Sequence, residues 1–562
     1  MSGDSGKGFL RMTTNSPVEL RDEQDYFGTI SAMPRTIVGL LIIALFLWAC
    51  APAVEATPTA TVNGYDPFIP LETNVTPPPG PTEALPVPTA LPTRHTGPTP
   101  TLAALQAVFP PTRMPGTPIT SPTPDAPRTL PTPRQEPDEY VVTAGDTLGS
   151  IAQSYGVSVE ALMQANGLSD PNLLSIGQTL RIPALLPGEE GPDFKVIPDS
   201  ELVYGPGAAT FDLSAIIQGR GGYLATYKED VNGNELTGAE IIQRVAENYS
   251  VNPRLLLALI EHQSGWLTQP QPLETTFPLG LIDTWHEGLY LQLTWTADTL
   301  NRGYYLWRAN ALSTWVLTDS SIVPIDPTIN AGTAGVQHFF SKMDGLFDWQ
   351  GDVTAFGLFQ TYFFLFGNPF DYAVEPLVPA TVQQPAMQLP FERGVVWSFT
   401  GGPHGGWDSG SGWAALDFGP PGESAGCTPS NAWVVAVADG WIVRTGEGIV
   451  IQDLDGDGYE QTDWTVFYMH IEGRDRIAPH TYAYAGDRIG HPSCEGGMSN
   501  GTHVHLARKY NGEWIPADAS IPFNLDGWIS SGTGVEYDGF LIKGDRVVEA
   551  WDGRNELNQI QR

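Results

Sequence analysis

The chain has 562 residues, more than one core usually serves, so three or four folded units are expected. Its formal net charge is −35. That sign repels nucleic acid and anionic lipid, and argues against both as partners of the folded surface.

Residues 36–48 (TIVGLLIIALFLW) form an apolar run of thirteen ending at Ala49-Cys50. A membrane helix needs about 20 such residues, so the run reads as the core of a secretory signal. Leu47 and Ala49 before Cys50 look like a bacterial lipoprotein cleavage box, which implies lipidation of Cys50. An uncleaved anchor is the other reading of 1–50, and residues 1–32 are an over-long start or a cytoplasmic leader. Either way, the chain after Cys50 lies outside the cytoplasm, in the cell envelope, secreted or tied to the membrane through its N-terminus. Residues 51–137 are dense in Pro and Thr, cannot bury a core, and form a semi-rigid spacer.

Residues 138–184 open and close on short β runs, with two short helical faces between them. Asp146 or Thr147 can cap the first helix, and Ser158 the second. The motifs AGDTL, A-x-x-Y-G-V, L-x-x-A-N and GQTLRIP resemble a LysM module. That resemblance implies a βααβ unit binding N-acetylglucosamine-containing glycans through Gly145, Asp146, Thr147, Asn172 and Ile176.

Residues 200–385 carry the signals of a mostly α domain. Thr237-x-x-Glu240 is a capping box before an amphipathic run, and Asn252-Pro253 starts a second helix. NPRLLLALIEHQSGW is similar to the catalytic-Glu segment of lysozyme-like lytic transglycosylases, but Gln263 stands where the acid belongs. An amide cannot protonate a glycosidic oxygen, and Glu261 lies about 200° round the helix from that face. The expectation is an inactive lysozyme-like fold, or a plain helical spacer.

From residue 388 to 530, short β runs separated by Gly- and Asp-rich turns predict an antiparallel all-β domain. Six of the ten histidines fall between 404 and 505, too dense a cluster for structural roles alone. His503 and His505 are one residue apart, so a strand points both rings to one side and Val504 and Leu506 into a core. With His404, Asp417 and His470 they make the composition of a catalytic zinc site.

His404 and Asp417, GWIV at 440–443, YMH at 468–470 and the GDRIG…GTHVHL block resemble lysostaphin/LytM-type zinc endopeptidases, which cut peptide bonds of peptidoglycan. The resemblance implies zinc on His404, Asp417 and His505, with His470 and His503 catalytic: one takes a proton from the attacking water, the other stabilises the oxyanion. One departure stands out, because twelve residues separate His404 from Asp417 where that family usually has few. The intervening Gly/Ser-rich segment must loop out and return the carboxylate to register. His480 and His491 read as surface or rim residues. Cys427 and Cys494 lie in loops of an exported domain, which favours a disulfide. DLDGDGYEQTD (453–463) reads as an acidic hairpin tip, with calcium as the alternative, since Trp464 replaces the EF-hand glutamate. The tail, 531–562, alternates like one more hairpin.

Two functions are open at this point: a wall-associated zinc endopeptidase acting on stem peptides while LysM holds the glycan, or a non-catalytic wall-binding regulator of other hydrolases.

Overall fold

A computed structural model describes residues 124–143, 146–422 and 426–562. The segment expected to be a signal or anchor up to Cys50, most of the Pro/Thr-rich stretch, and Gly145 lie outside the described residues. Among the described residues, no helix is long and apolar enough to cross a membrane.

The first unit is β1 (Asp138–Val141), α1 (Leu148–Tyr155), α2 (Val159–Asn166) and β2 (Thr179–Ile182), with β1 and β2 antiparallel. Leu148, Ile151, Leu162, Leu180 and Ile182 fill its small core. Ser158 caps α2 by accepting from the Ala161 amide at 3.0 Å. At α1 the hydroxyl of Thr147 accepts from the Ser150 amide at 3.0 Å. Asp146 instead closes the preceding turn, accepting from the Thr143 amide and the Tyr140 hydroxyl.

The middle region is helical, built around α3 (Gly238–Tyr249), α4 (Pro253–Ser264), α5 (Leu289–Arg308) and α6 (Ala331–Met343). The capping box forms as the spacing predicts: Thr237 accepts from the Glu240 amide while Glu240 reaches back to the Thr237 amide. Helices α5 and α6 pack through Gly303 and Gly335, where an added Cβ would stand 2.8 Å from a carbonyl oxygen of the facing helix. Six consecutive residues of α4, Leu255 to Ile260, are wholly buried. The same helix carries Arg254 inside the core. Its guanidinium grips the buried Glu201 carboxylate through Nε at 2.9 Å and Nη2 at 2.5 Å, and Tyr362 donates to the same carboxylate. Arg254→Met is expected to strand that carboxylate and destabilise the protein by roughly 3–5 kcal/mol. Adding Glu201→Leu should recover most of the loss in denaturant unfolding. If the single variant unfolds at the wild-type midpoint, the pair carries none of the stability assigned to it.

The C-terminal region is antiparallel. Its main sheet runs β8 (Thr481–Ala483), β5 (Gly440–Gly446), β6 (Ile449–Asp453), β7 (Trp464–Met469), β9 (Val504–Tyr510), β4 (Ala415–Gly419), β3 (Val396–His404) and β13 (Gln559–Gln561), with a short strand at Glu513–Trp514 beside β9. Val504 and Leu506 point into one apolar core of this region, as the alternation predicts. The tail does more than form a hairpin. Strands β10 (Trp528–Gly532), β11 (Gly539–Lys543) and β12 (Arg546–Glu549) form a second sheet, and β13 then pairs with β3 at Ile560–Trp397. The chain thus ends as an edge strand of the sheet that carries the histidines.

Candidate metal and catalytic centre

Strands β4 and β9 pair with Asp417 directly opposite His505, and His505 lies opposite Met469 on β7. Cross-strand partners share a sheet face, so one ladder brings carboxylate and imidazole together. His404 ends β3 opposite Ala415. Its Nε2 lies 3.2 Å from Asp417 Oδ1 and 3.0 Å from His505 Nδ1, and His505 Nδ1 lies 3.4 Å from the same oxygen. All three residues are buried.

Backbone carbonyls decide which ring nitrogens are free. His404 Nδ1 donates to Gly402 O at 2.7 Å, and His505 Nε2 donates to Gly406 O at 3.0 Å. The nitrogens that face each other, His404 Nε2 and His505 Nδ1, are therefore left as lone pairs in the neutral rings. Asp417 Oδ1 lies within ion-pair distance of three imidazoles but accepts no well-formed hydrogen bond from any of them. Three acceptors converging in a buried space call for a cation. Tetrahedral zinc with bonds of about 2.0–2.1 Å has ligand–ligand edges of about 3.3 Å, which matches the three separations. The donor set fits zinc.

The two further histidines stand beside this trio. His470 leaves β7 in a left-handed backbone conformation (φ 64°), its ring 4.4 Å from that of His503 between centroids. Its Nδ1 donates to Glu495 O at 3.1 Å, and His503 Nδ1 donates to Gly501 O at 2.7 Å. Each ring thus keeps Nε2 free, and that of His503 lies 3.6 Å from Asp417 Oδ1.

Charge follows from this packing. Burial would raise the Asp417 carboxyl, but His404 and His503 outweigh it and hold it well below the carboxylate range. Burial, then the neighbouring His503 and His505 rings, holds His470 well below the histidine value, and burial chiefly lowers His505. His404 goes the other way, because the Asp417 carboxylate overcomes the cost of burying its charge. Below pH ~6.5 the unfolded chain protonates histidines that the folded chain keeps neutral. In that range His404 is charged in both states, so its stabilisation is fully present and adds no slope. Each ring held neutral should therefore cost the metal-free protein up to about 1.4 kcal/mol per pH unit as pH falls below ~6.5, set against the buried carboxyls of Asp298, Asp344, Glu375 and Glu513, pushed up to about 7, which bind protons in the folded chain first. Urea midpoints of chelator-treated wild type and His470→Asn at pH 7.5 and 5.5 isolate the ring: the variant should lose less, or gain more, on acidification. Equal slopes for variant and wild type would remove His470 from the account.

The long His404–Asp417 spacing has a tertiary partner. Residues 405–414 loop out and dock on the helical region: Tyr249 donates to Asp408 at 2.9 Å, and the Gly410 amide donates to Asp298 at 2.6 Å. Trp407 packs between Tyr249 and Phe467. At the other rim, Cys427 and Cys494 are bonded to each other, with Cα atoms 5.7 Å apart. This ties the loop after β4 to the segment before His503.

The trio and both histidines line a cleft of about 860 Å³. Part of its lining comes from residues with no signal in the sequence: Thr400 of β3, and Glu536, Tyr537 and Arg554 of the tail. Tyr537 stacks on His404 at 4.2 Å between centroids. Nothing local in the tail signals this, since Tyr537 is placed by long-range backbone bonds: the Gly402 amide donates to its carbonyl at 2.7 Å and its amide donates to Pro403 O at 3.1 Å.

Elsewhere the proposed site residues are scattered or committed. Asn172 and Ile176 are exposed on the LysM unit, Ile176 with Leu173 forming an apolar spot. Glu261 is taken up by the turn after α4, accepting from the Leu267 and Thr268 amides at 3.1 Å. Asp453, Asp455 and Asp457 sit at the predicted hairpin tip, with Asp453 accepting from three turn amides. His480 is exposed, whereas His491 is buried against Trp433 and not at the surface.

Residues 140–183 match the family described as LysM domain, and residues 195–380 match that described as LasA, N-terminal domain. The helical region likened above to lysozyme falls within the second match. The chain is 25% identical over 334 residues to Protease LasA of Pseudomonas aeruginosa PAO1, covering 56% of this chain and 74% of the relative. Over 60 residues it is 45% identical to N-acetylmuramoyl-L-alanine amidase XlyA of Bacillus subtilis 168, 11% of this chain and 20% of the relative. Among solved structures it is similar to the deep-sea M23 metalloprotease pseudoalterin, at 23% identity and a TM-score of 0.26, over 33% of this chain and all of the other. The chain thus carries a LysM domain and a LasA-type N-terminal domain ahead of its C-terminal antiparallel region.

Proposed function

We propose that this protein is an exported, wall-associated zinc endopeptidase hydrolysing peptide bonds of peptidoglycan, with His404, Asp417 and His505 as ligands and His470 and His503 as catalytic groups. The observation that supports it best is the convergence of two imidazole lone pairs and an orphaned carboxylate oxygen in one buried space. Bound there, zinc supplies a Lewis acid and a water acidic enough to attack near neutral pH.

The chain's own residues carry the remaining work. His470, held neutral by burial, accepts the proton of the attacking water at Nε2. In its imidazolium form, His503 would present Nε2–H, 3.6 Å from Asp417 Oδ1, to the oxyanion that develops on the scissile carbonyl. The LysM domain holds glycan near the cleft, raising local substrate concentration without changing the chemistry. In this reading Gly145, Asp146, Thr147, Asn172 and Ile176 border the glycan, and Cys50 carries a lipid or lies in an uncleaved anchor.

Purified peptidoglycan incubated with the full chain should gain free amino groups but no reducing sugar ends, and a chelator should stop the release. Reducing ends would point to a glycosidase. Stoichiometric zinc without release of either would leave only the regulator reading.

A further inference from the structure

The cleft lining includes two polar atoms without a partner. Arg554 contributes one: its Nη1 is buried without a hydrogen-bond partner. Among the described residues no carboxylate forms an ion pair with it, although Glu536 and Asp552 line the same cleft, and burial alone draws the guanidinium below its usual value. Thr400 Oγ1, from β3, is likewise buried and unpartnered. Both groups meet over the same strand. A Cβ on Gly419 would stand 3.1 Å from Thr400 Cγ2 and 3.7 Å from Arg554 Nε, and one on Gly422 would stand 3.6 Å from Arg554 Nη1. The two glycines leave open the floor that side chains would fill.

Gly419 lies two residues along β4 from Asp417, on the same face, so both orphans stand over the strand that carries the proposed ligand. A half-buried cation with one buried, unpartnered nitrogen, beside an unpartnered hydroxyl, matches a carboxylate, which can take two guanidinium N–H groups and one O–H.

We propose that Arg554 and Thr400 form a subsite in this cleft for a carboxylate on the substrate, and so select acidic over amidated peptides. The proposal rests on the endopeptidase reading above. A bound carboxylate would satisfy both orphans, whereas an amide offers the guanidinium only a neutral oxygen and leaves its charge uncompensated.

The test uses two soluble cross-linked stem peptides, identical except that one α-carboxylate is replaced by its amide. The zinc-loaded full chain should cleave the acid at least about tenfold better in kcat/KM, mainly through KM. Arg554→Gln should bring the ratio near one, Arg554→Lys should keep part of it, and Thr400→Val should reduce it severalfold. Unchanged zinc content in each variant reports an intact fold. Equal cleavage of both peptides by the wild type, or an undiminished preference in Arg554→Gln, overturns the subsite. If neither peptide is cleaved, the endopeptidase reading fails. Calorimetric binding of the same pair then decides the subsite: tighter binding of the acid that Arg554→Gln abolishes supports it, and equal binding ends it.

Discussion

Asp417→Asn is expected to release the metal and to reduce peptide hydrolysis by at least about a thousandfold. The substitution keeps the volume of the side chain on β4 but removes the charge that faces His404, His503 and His505. An amide is a poor zinc ligand, and two imidazoles alone do not complete a catalytic site. Lewis-acid stabilisation is worth several kcal/mol at the transition state, and each 1.36 kcal/mol is tenfold in rate. Zinc per chain, read by elemental analysis after gel filtration, should fall from about one to near zero. His505→Ala should behave alike, since its Nδ1 is a corner of the same triangle. A variant that lacks the carboxylate yet holds stoichiometric zinc and still cleaves would refute the assignment.

His470→Ala and His503→Ala should have a different signature: zinc retained, with kcat reduced by about 10²–10⁴ and KM little changed. The contrast arises because neither ring belongs to the tight triangle, while each presents a free Nε2 beside it. Assigning the base to His470 makes a sharper claim. The acid limb of the kcat profile should vanish in His470→Ala and persist, at lower amplitude, in His503→Ala. If the limb disappears only in His503→Ala, the two roles are exchanged. If either variant also loses zinc, that ring belongs with the ligands.

Much of the centre was legible in the sequence because its chemistry is short-range in chain terms. Alternation along a strand says that His503 and His505 point one way and Val504 and Leu506 the other, and the latter pair does enter the core. Capping residues and turn signals likewise located Ser158 and the box at Thr237 and Glu240, because a cap is satisfied within one helical turn. His491 escaped this logic. Its loop setting suggested exposure, but Trp433 covers it from 58 residues away.

What the sequence determined by itself was the order of units and the kinds of side chain available: a glycan-module pattern, a helical stretch, then histidines and one carboxylate at strand spacing. Tertiary structure alone decided which nitrogens are free, because carbonyls of Gly402, Gly406, Glu495 and Gly501 choose the tautomers. It also decided how the twelve-residue gap after His404 is absorbed, by docking on Asp298 and Tyr249 of the helical region. Finally, it placed Tyr537 in the cleft through backbone bonds to Gly402 and Pro403 of β3, and Arg554 in the segment between that contact and the pairing of β13 with β3. Periodicity reports which face a residue takes on its own element. Only long-range pairing says what that face meets.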